Sequence, residues 1–545
     1  MKHLSIDIET YSSVDIKKSG LYKYVQSDDF QVLLFAYSVD GGEVQIIDLI
    51  NGEEIPFNIK IAMLSPDVVK HAFNAAFEWY CLSKYLNVPN PELWLSQWRC
   101  TMVHGLYCGY PGSLSAVGQA LGMSEDKKKM SVGKRLIDIF CKPCKPTKTN
   151  GMRTRTLPVH EPEKWALFKD YCRQDVVTEM EAEKMLSFWQ APDYVQKQWE
   201  LDMKINAYGT AIDMELVNGA LYCSESDTDK LMNRAREITG LDNPKSDTQL
   251  KEWAVKRLDA EIPSLDKKNL ALLLQKELPG DVREMLNIRK ELGKTSVTKY
   301  KAMENAVCGD GRVRGLLQFY GANRTGRWAG RLVQVQNLPR NYLENLSAAR
   351  NIVKKKNPEG LGLLFGSVSD TLSQLIRTAF IPSKGNKFVV ADFSAIEARV
   401  IAWLAGEEWR QEVFRTHGKI YEASASAMFG VPIEKIKKGN PEYALRAKGK
   451  VAELALGYQG SAGALVQMGA LDMGLSEEEL PDIVRRWRAA NKNIVGLWYA
   501  AENAAVECMR TAKQTGINKG ILFTREADII KGIDFLTVTL KSGRK

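Results

Sequence analysis

Two acidic residues near the N-terminus are spaced for metal chemistry. Asp7 and Glu9 lie two residues apart in the strand-like stretch LSIDIETY. Side chains two apart on a strand project from the same face, so both carboxylates should point to one place. Because hard divalent ions prefer oxygen ligands, the spacing predicts a metal-binding position on an N-terminal strand.

Two further fragments could complete this site. In YCRQD, Tyr171 and Asp175 are four residues apart in a helical stretch and so share a face. In KHAFNAAFEWYCL, a predicted strand runs into a helix, with Asn74 and Glu78 at helical spacing. Four acidic groups could hold two ions that clamp the attacking water and the leaving oxygen of a phosphodiester, while the tyrosine orients the water. Each fragment alone would more readily be a solvated turn or helix surface.

A second set of side chains is suited to a triphosphate. The stretch NPEYALRAKGKVAELALGYQG predicts a helix with Asn440 as its cap and Pro441 at its first position. Four side chains at steps of four would share one broad face of it: Arg446, Lys450, Leu454 and Tyr458. The two cations lie toward the helix N-terminus, which also favours anions, and a base could stack farther along. The alternative is an amphipathic helix whose Arg and Lys extend to solvent.

A third acidic group ends a predicted strand. Residues Lys387–Ala391 of KFVVADFSAIEARVIAWLAGE are largely apolar and β-branched, which predicts a buried strand, and a helical pattern follows Asp392. Two-metal phosphoryl transfer needs carboxylates from more than one segment. A second acidic group should therefore join Asp392.

Composition and charge limit the class of protein. A chain of 545 residues should divide into several domains, and no stretch is apolar enough for a signal segment or a membrane span, which favours a cytoplasmic protein without a membrane partner. Nine scattered cysteines argue against a disulfide framework, and CKPC (141–144) reads as a basic loop more readily than as half of a zinc site. P-loop, zincin and serine-hydrolase motifs are absent from the sequence.

Two basic stretches favour a nucleic-acid partner over a merely solvated face. Six arginines and no acidic residue lie between Arg312 and Arg340, with Phe319, Tyr320 and Trp328 among them. Ten basic residues face two acidic ones between positions 126 and 155. Lys and Arg clusters bind phosphates, and interleaved aromatic residues can stack on bases.

The N-terminal motifs resemble those of the DEDDy 3′–5′ proofreading exonucleases. Asp-x-Glu, Asn-x-x-x-acid and Tyr-x-x-x-Asp occur in the family's order. The resemblance implies that Asp7, Glu9 and Asp175 bind metal and that Tyr171 positions water. The family usually has Asp in its second motif, where this chain has Glu78 as the expected ligand, beside Asn74 as a substrate contact.

The remaining motifs resemble those of the DNA polymerase I family (family A). DFSAIEAR resembles motif A, RAKGKVAELALGY resembles the nucleotide-binding motif B, TGRWAGRLVQVQNLPR resembles the segment that touches primer and template, and NPKSDTQLKEW is similar to the thumb segment that grips the duplex. The resemblance covers nearly the whole chain, and it looks most like the compact bacteriophage members, which lack a separate 5′-nuclease domain.

The resemblance implies an α/β and α+β multidomain fold, with a ribonuclease H-like exonuclease domain and a right-hand polymerase module. The implied domains are the exonuclease (1–185), a mostly helical connector and thumb (186–305), the first part of the palm (306–435), the fingers (436–530) and the start of returning palm strands (531–545).

Roles at the polymerase site are likewise implied by the resemblance. Asp392 would bind both catalytic metals, Glu397 would pack beneath the sugar and discourage ribonucleotides, and Arg327 would lie near the primer terminus. Two Mg²⁺ ions would serve each active site, with Mn²⁺ able to replace them.

The motif B helix would provide the nucleotide contacts. Arg446 and Lys450 would bind the triphosphate, with Lys450 also a candidate proton donor to the departing pyrophosphate. Tyr458 would lie near the templating base. Leu454 replaces the aromatic residue that is more usual there, which leaves sugar selection at that position open.

The family's second polymerase carboxylate is missing from the sequence. It comes from motif C, a His-Asp turn after the fingers, and none of the five histidines here precedes an aspartate. We therefore expect an incomplete palm that needs a C-terminal polymerase fragment carrying motif C.

The leading interpretation is the N-terminal part of a template-directed DNA polymerase with a proofreading 3′–5′ exonuclease. Its partners would be primer-template DNA, single-stranded 3′ ends and dNTPs, in the host cytoplasm if a phage encodes it. The alternatives are a stand-alone 3′–5′ exonuclease with a vestigial polymerase module and a non-enzymatic primer-template binding protein.

Overall fold

The chain folds into two compact units. The computed structural model describes residues 1–125, 132–294, 297–322, 325–471, 473–528 and 533–544. One unit spans Met1–Phe388 and the other Val389–Lys545. Both contain helices and strands, which confirms the predicted mixed α/β, multidomain class.

The N-terminal part of the first unit is built on a five-stranded sheet. Its strands are β1 (His3–Tyr11), β2 (Gln31–Val39), β3 (Gln45–Asp48), β4 (Val69–Ala72) and β5 (Trp98–Cys100), in the order β3-β2-β1-β4-β5. The helices around it are α1 (Ile16–Val25), α2 (Phe57–Leu64), α3 (Ala76–Tyr85), α4 (Thr101–Tyr107), α5 (Leu114–Leu121), α6 (Gly133–Phe140) and α7 (Pro162–Leu186). The central strand β1 is antiparallel to β2 and parallel to β4.

Alternation along β1 separates the two faces of this sheet. Leu4, Ile6 and Ile8 are buried in a core that also contains the α3 residue Trp79. The intervening residues face the other side, where α7 covers the sheet and its Phe168 lies in a second core. The acidic pair of β1 is therefore directed toward α7.

The rest of the first unit is mostly helical with short strands. Its elements are α8 (Asp193–Tyr208), β6 (Thr210–Ile212), α9 (Met214–Thr239), α10 (Asp247–Leu258), α11 (Lys267–Leu274), α12 (Gly280–Leu292), α13 (Thr298–Ala306), β7 (Arg312–Val313), β8 (Leu317–Ala322), β9 (Arg327–Gly330), α14 (Leu346–Lys354), α15 (Pro358–Phe365), α16 (Val368–Leu375) and β10 (Phe380–Ile381). Strands β8 and β9 pair as an antiparallel hairpin, and β6 lies between β10 and β7.

The second unit begins with helices and ends with a three-stranded sheet. Its elements are α17 (Ile396–Ala405), α18 (Glu408–Thr416), α19 (Ile420–Phe429), α20 (Leu445–Leu456), α21 (Ala462–Gln467), α22 (Leu480–Ala490), α23 (Lys492–Thr511), β11 (Thr515–Ile517), β12 (Ile521–Asp528) and β13 (Ile533–Thr539). The final strand, predicted from FLTVTL, is present as β13 and pairs with β12.

The strand predicted over Lys387–Ala391 does not form. These residues have no regular secondary structure, and Val389 and Val390 are 86% and 88% exposed. A strand is held by hydrogen bonds to a neighbouring strand, and none of the described residues supplies that neighbour. An apolar, β-branched sequence without a pairing partner therefore forms no strand here.

Candidate functional site

The acidic pair of β1 lies against α7, as the alternation of the strand requires. Cys172 of α7 has its Sγ 3.5 Å from Asp7 Oδ2, and Cys141 has its Sγ 3.7 Å from Glu9 Oε2. Thiols at these distances donate weak hydrogen bonds to the carboxylates. Burial is the main reason that the pKa of each thiol lies well above its usual value, and the neighbouring carboxylates raise it further. Both sulfurs therefore stay protonated donors.

Glu78 joins this pair from the first turn of α3. Its carboxylate is buried, and its Oε2 has no hydrogen-bond partner. Burial raises the pKa of Glu78 well above its usual range, and the charges of Asp7 and, more weakly, Glu9 raise it further. A buried acid that is repelled by its neighbours is costly unless a cation compensates it.

Tyr171 and Asp175 extend the cluster along one face of α7. They lie one helical turn apart and both are buried. Burial raises the pKa of the Tyr171 phenol far above its usual value. The nearby carboxylates of Asp175, Glu9 and Asp7 raise this pKa further. The phenol therefore keeps its proton, and its hydroxyl can hydrogen-bond a water molecule.

The donor set of this acidic cluster fits hard divalent ions. All four predicted ligands offer carboxylate oxygens, and the unbonded Glu78 Oε2 is the kind of atom that a cation would satisfy. Among the described residues, no group of three or more His, Cys, Asp or Glu side chains has the geometry of a metal site. The cluster is thus an acidic pocket and not a preassembled metal centre.

Asn74 lies outside the helix that was predicted to include it. Helix α3 begins only at Ala76, and Asn74 occupies the preceding turn with a φ of 68°. Asn adopts this left-handed conformation more readily than most residues, which explains why the turn forms there. Asn74 lines a cavity of about 530 Å³, whose wall also contains Gln318 and Arg331 of the β8–β9 region.

The two cysteines of CKPC contact different groups. The Cys141 thiol contacts Glu9, whereas Cys144 Sγ lies 3.3 Å from the Arg153 carbonyl oxygen. Cys141 is buried at the end of α6, and Cys144 is half-buried in the segment that follows.

The β8–β9 hairpin differs from its sequence-based interpretation. Phe319 and Tyr320 are buried in the core of the five-stranded sheet, and Trp328 Nε1 donates a 2.8 Å hydrogen bond to Asp202 Oδ1 of α8. These aromatic side chains fix the hairpin to the protein, so the basic side chains of the stretch are the ones exposed to a nucleic-acid partner. Arg327, by contrast, is exposed at the start of β9.

The arginines of this stretch fall into two groups. Arg312 donates to the carbonyl oxygens of Tyr208 and Gly209, both at 2.8 Å, and Arg314 pairs with Asp310 at 2.7 Å. These two hold the fold together. Arg331 is exposed like Arg327, whereas Arg324 lies outside the described residues.

The predicted nucleotide-binding helix forms as α20 but is shorter than expected. A 3₁₀ turn over Pro441–Ala444 precedes it, with Asn440 at the cap position and Pro441 first, as predicted. The Asn440 side chain donates to the Lys435 carbonyl oxygen and makes no capping hydrogen bond. The helix ends at Leu456, which places Tyr458 in the following turn and not on the helical face. Gly457 begins a turn at this position, and the sequence interpretation did not use it as a stop.

The other predicted residues of α20 remain on the helix. Arg446 donates a 2.7 Å hydrogen bond to Glu422 of α19, Lys450 is partly buried, and Leu454 is exposed. Gly449 permits close packing, since a Cβ there would lie 2.1 Å from the Tyr421 carbonyl oxygen. Helix α20 is therefore pressed against α19 between its two basic residues.

Glu397 and Tyr458 meet within the second unit. The Tyr458 hydroxyl donates a 2.8 Å hydrogen bond to Glu397 Oε2, although 61 residues separate them. Glu397 lies in the first turn of α17, shortly after Asp392 in the exposed segment. The structure thus joins one residue from each of the two motifs predicted to contact the nucleotide.

A buried ion pair that sequence reasoning missed holds the other face of α20. Arg410 of α18 and Glu453 of α20 have side chains only 1% and 2% exposed, and Arg410 Nη1 lies 2.8 Å from Glu453 Oε1. Trp487 Nε1 also donates to this oxygen, at 3.0 Å. The pairing spans 43 residues, and nothing in the local pattern of either helix indicates it.

Comparison with known proteins identifies the family. The model of DNA polymerase family A matches residues 222–522. The chain is 53% identical over all 545 residues to the DNA polymerase of Bacillus phage SP02, covering 82% of that protein. The chain belongs to DNA polymerase family A. It is therefore a DNA-directed DNA polymerase by family, as the motif order predicted.

More distant relatives match only part of the chain. The thermostable DNA polymerase I of Thermus aquaticus is 34% identical over 120 residues, which are 22% of this chain and 13% of that protein. In structure, the chain is similar to the POL domain of Pol1 from M. smegmatis, solved with DNA primer-template and dNTP, at a TM-score of 0.55 and 17% identity, covering 95% of this chain and 76% of that one. This similarity confirms the fold of a polymerase module.

The family match includes one of the two predicted sites and not the other. Asp392 and the α20 residues lie inside the range matched by the family model, and the N-terminal acidic cluster lies outside it. Among the described residues, no helix is both long and apolar enough to span a membrane.

Proposed function

We propose that this family A polymerase extends a primer on a DNA template and also degrades single-stranded DNA from its 3′ end. The proposal includes primer-template DNA, single-stranded 3′ ends and dNTPs as partners, two Mg²⁺ or Mn²⁺ ions per site, and action in the cytoplasm of a host cell.

The observation that carries the exonuclease is the buried, unbonded carboxylate of Glu78. Burial and the nearby charges of Asp7 and Glu9 make its ionised form costly, so the metal-free site carries a cost that a bound cation would remove. Proteins keep such arrangements chiefly at functional sites.

The chain's own groups then have separate tasks. Asp7, Glu9, Glu78 and Asp175 would hold the ions, which supply Lewis-acid charge to a phosphodiester when bound. The Tyr171 hydroxyl would form one hydrogen bond with the attacking water and hold the water oxygen in line with the terminal phosphorus. Attack forms a bond from water oxygen to phosphorus and breaks the bond to the 3′ oxygen of the preceding nucleotide, which releases a nucleoside monophosphate. The attacking water gives up a proton to solvent, and the freed 3′ oxygen takes one up to become a hydroxyl.

A nuclease assay tests this proposal. The purified chain should shorten a 5′-labelled single-stranded oligonucleotide from its 3′ end with Mg²⁺ or Mn²⁺ and should fail in EDTA. Asp7→Ala should abolish the activity, whereas Asp170→Ala, an exposed residue on α7, should leave it unchanged. An oligonucleotide that stays intact with either metal would overturn the exonuclease proposal.

Glu78→Gln provides a second measurement. It removes a carboxyl group whose ionisation is unfavourable in the folded state, so the metal-free variant should unfold at a higher temperature than the wild type. The wild type should gain stability when Mg²⁺ is added, and the variant should gain much less. If Mg²⁺ stabilises both proteins equally, Glu78 is not a ligand.

At the polymerase site, we assign Asp392 to metal binding and Arg446 and Lys450 to the triphosphate. The primer 3′-hydroxyl loses its proton to solvent as its oxygen attacks the α-phosphorus. The bond to pyrophosphate breaks, and Lys450 donates a proton to the departing group. Arg327 contacts the primer strand, and Glu397 packs under the sugar. The family match and the positions of Glu397 on α17 and of Arg446 and Lys450 on α20 support the assignment.

We further propose that the second catalytic carboxylate comes from residues outside this sequence. Val389 and Val390 stay exposed beside Asp392, as expected for a strand whose neighbour is elsewhere. Asp534, on β13, accepts a hydrogen bond from Arg525 at 2.9 Å and is thus already paired. The chain spans 82% of the phage SP02 polymerase, which leaves part of that relative unmatched.

Primer extension decides this second point. With the exonuclease silenced by Asp7→Ala, the chain alone should not extend a primer, and addition of a C-terminal polymerase fragment carrying motif C should restore extension. Robust extension by the chain alone, lost in Asp392→Ala, would show that the second carboxylate lies within these residues. Nuclease activity without extension under either condition would favour a stand-alone exonuclease.

A further inference from the structure

The start of α6 makes an unusually close approach to Tyr171. A Cβ added at Gly133 would lie 2.0 Å from Tyr171 Cε2 and 2.4 Å from Cζ, the carbon that bears the hydroxyl. Real Cβ contacts do not fall below about 3 Å, since dispersion minima for carbon lie near 3.5–4.0 Å. No side chain therefore fits at position 133 while the ring keeps its place.

The backbone gives no other reason for glycine at this position. Gly133 is not among the residues with positive φ, so an L-residue could adopt its conformation. Glycine within a helix costs about 1 kcal/mol relative to alanine, and Gly133 is the first residue of α6. What the absent side chain provides is room for the Tyr171 ring.

The ring cannot easily move away from α6. It is 2% exposed and stacks on Phe168, one turn earlier on α7, at a centroid distance of 6.0 Å and an angle of 12°. Phe168 in turn stacks at 5.5 Å on Phe140, the last residue of α6. The last residue of α6 therefore forms one end of a three-ring stack, and the first residue of α6 lies against Tyr171 at the other end. The Tyr171 ring is held between Gly133 and Phe168.

We infer that Gly133 is a positioning residue of the exonuclease: by lacking a side chain, it fixes where the Tyr171 hydroxyl lies relative to the acidic cluster. The inference rests on the exonuclease function proposed above. Gly133 touches neither the carboxylates nor the nucleic acid in this assignment, so it acts only through the tyrosine. A displaced hydroxyl would no longer hold the attacking water in line, and misplacement of about 1 Å can cost about a hundredfold in rate.

The experiment compares Gly133→Ala with Gly105→Ala in the full chain. Gly105 lies in α4 of the same domain, where a Cβ would meet nothing closer than 3.7 Å, so its variant controls for a buried Gly→Ala change. For 3′-end degradation of single-stranded DNA, Gly133→Ala should lower kcat about tenfold or more and change KM by less than about twofold. Gly105→Ala should match the wild type.

A double variant separates positioning from a general loss of folding. Tyr171→Ala removes the ring that the new methyl would strike, so Gly133→Ala should cause no further loss of kcat in that background. Gly133→Ala should likewise lower the thermal midpoint less in the Tyr171→Ala background than in the wild type, because the methyl then has no ring to displace. Wild-type kcat in Gly133→Ala, or an equal loss in both backgrounds, would overturn the inference. A wild-type chain without nuclease activity would instead contradict the proposed exonuclease itself.

Discussion

The Tyr458 hydroxyl donates a 2.8 Å hydrogen bond to Glu397 Oε2 and thereby links the turn after α20 to the first turn of α17. Tyr458 is otherwise largely exposed, and a tyrosine on a turn could adopt many orientations. The bond fixes the carboxylate that we assign to the space beneath the nucleotide sugar. Selection against ribonucleotides should therefore depend on a residue that does not itself contact the sugar.

Tyr458→Phe should weaken the discrimination between dATP and ATP. The lost hydrogen bond contributes about 1 kcal/mol, which corresponds to about a fivefold smaller ratio of the two affinities. Equilibrium binding of both nucleotides to the Asp7→Ala chain measures this ratio. Tyr499→Phe, which alters an exposed tyrosine on α23, is the matched control and should leave the ratio unchanged. Equal ratios in both variants would show that the bond does not control Glu397.

Local patterns predicted the elements of the acidic cluster well. The alternation around Asp7 and Glu9 and the helical spacing of Tyr171 and Asp175 are properties of short segments, and β1 and α7 carry them as expected. Local spacing predicts such segments because each one buries a single face against a neighbour in the same unit.

Features that depend on partners distant in the sequence were either predicted wrongly or not predicted at all. The motif A strand needed a pairing strand that the described residues lack, so its apolar pattern misled. The role of Trp328 in fixing the hairpin was not predicted, because Asp202, its hydrogen-bond acceptor, lies 126 residues away. The packing of Gly133 on Tyr171 was invisible for the same reason.

The buried pair of Arg410 and Glu453 should dominate the stability of the second unit. Glu453→Gln leaves the guanidinium buried without its counter-charge, which should lower the free energy of unfolding by about 3–5 kcal/mol. Urea unfolding measures the loss. Replacement of both residues by Met should cost less than the sum of the single changes, because no uncompensated charge remains.

The exposed pair of Arg415 and Glu412 provides the control. Glu412→Gln should change the free energy of unfolding by no more than about 0.5 kcal/mol, since exposed ion pairs contribute little. A loss below about 1 kcal/mol in Glu453→Gln would contradict a structural role for the buried pair.

Asp202 should make the stability of the first unit depend on pH. Burial, opposed by the hydrogen bond from Trp328, raises the pKa of Asp202 to about 6. Because the folded state holds this proton more tightly than the unfolded state, stability should fall as pH rises from about 4 to about 6 and stay level above. The two-unit shift corresponds to about 3 kcal/mol.

Asp202→Asn tests this dependence, because it keeps an acceptor oxygen for Trp328 and removes the titration. Urea midpoints measured from pH 4 to 8 should decline less for the variant than for the wild type. Parallel curves for the two proteins would show that Asp202 titrates alike in the folded and unfolded states.

The two groups of arginines around the β8–β9 hairpin should respond differently to salt. If Arg327 and Arg331 neutralise phosphates, each contact releases counterions and adds about 0.9 to the slope of log affinity against log salt concentration. Arg327→Ala with Arg331→Ala should therefore flatten the slope for primer-template DNA by about 1.8.

Arg312→Ala is the contrasting variant, since that guanidinium is already bonded to the carbonyl oxygens of Tyr208 and Gly209. It should reduce thermal stability and leave the slope unchanged, and titrations from 50 to 300 mM salt by fluorescence anisotropy would measure both quantities on the same protein. An unchanged slope in the double variant would assign the exposed arginines to a solvated surface and would move the phosphate contacts to another part of the chain.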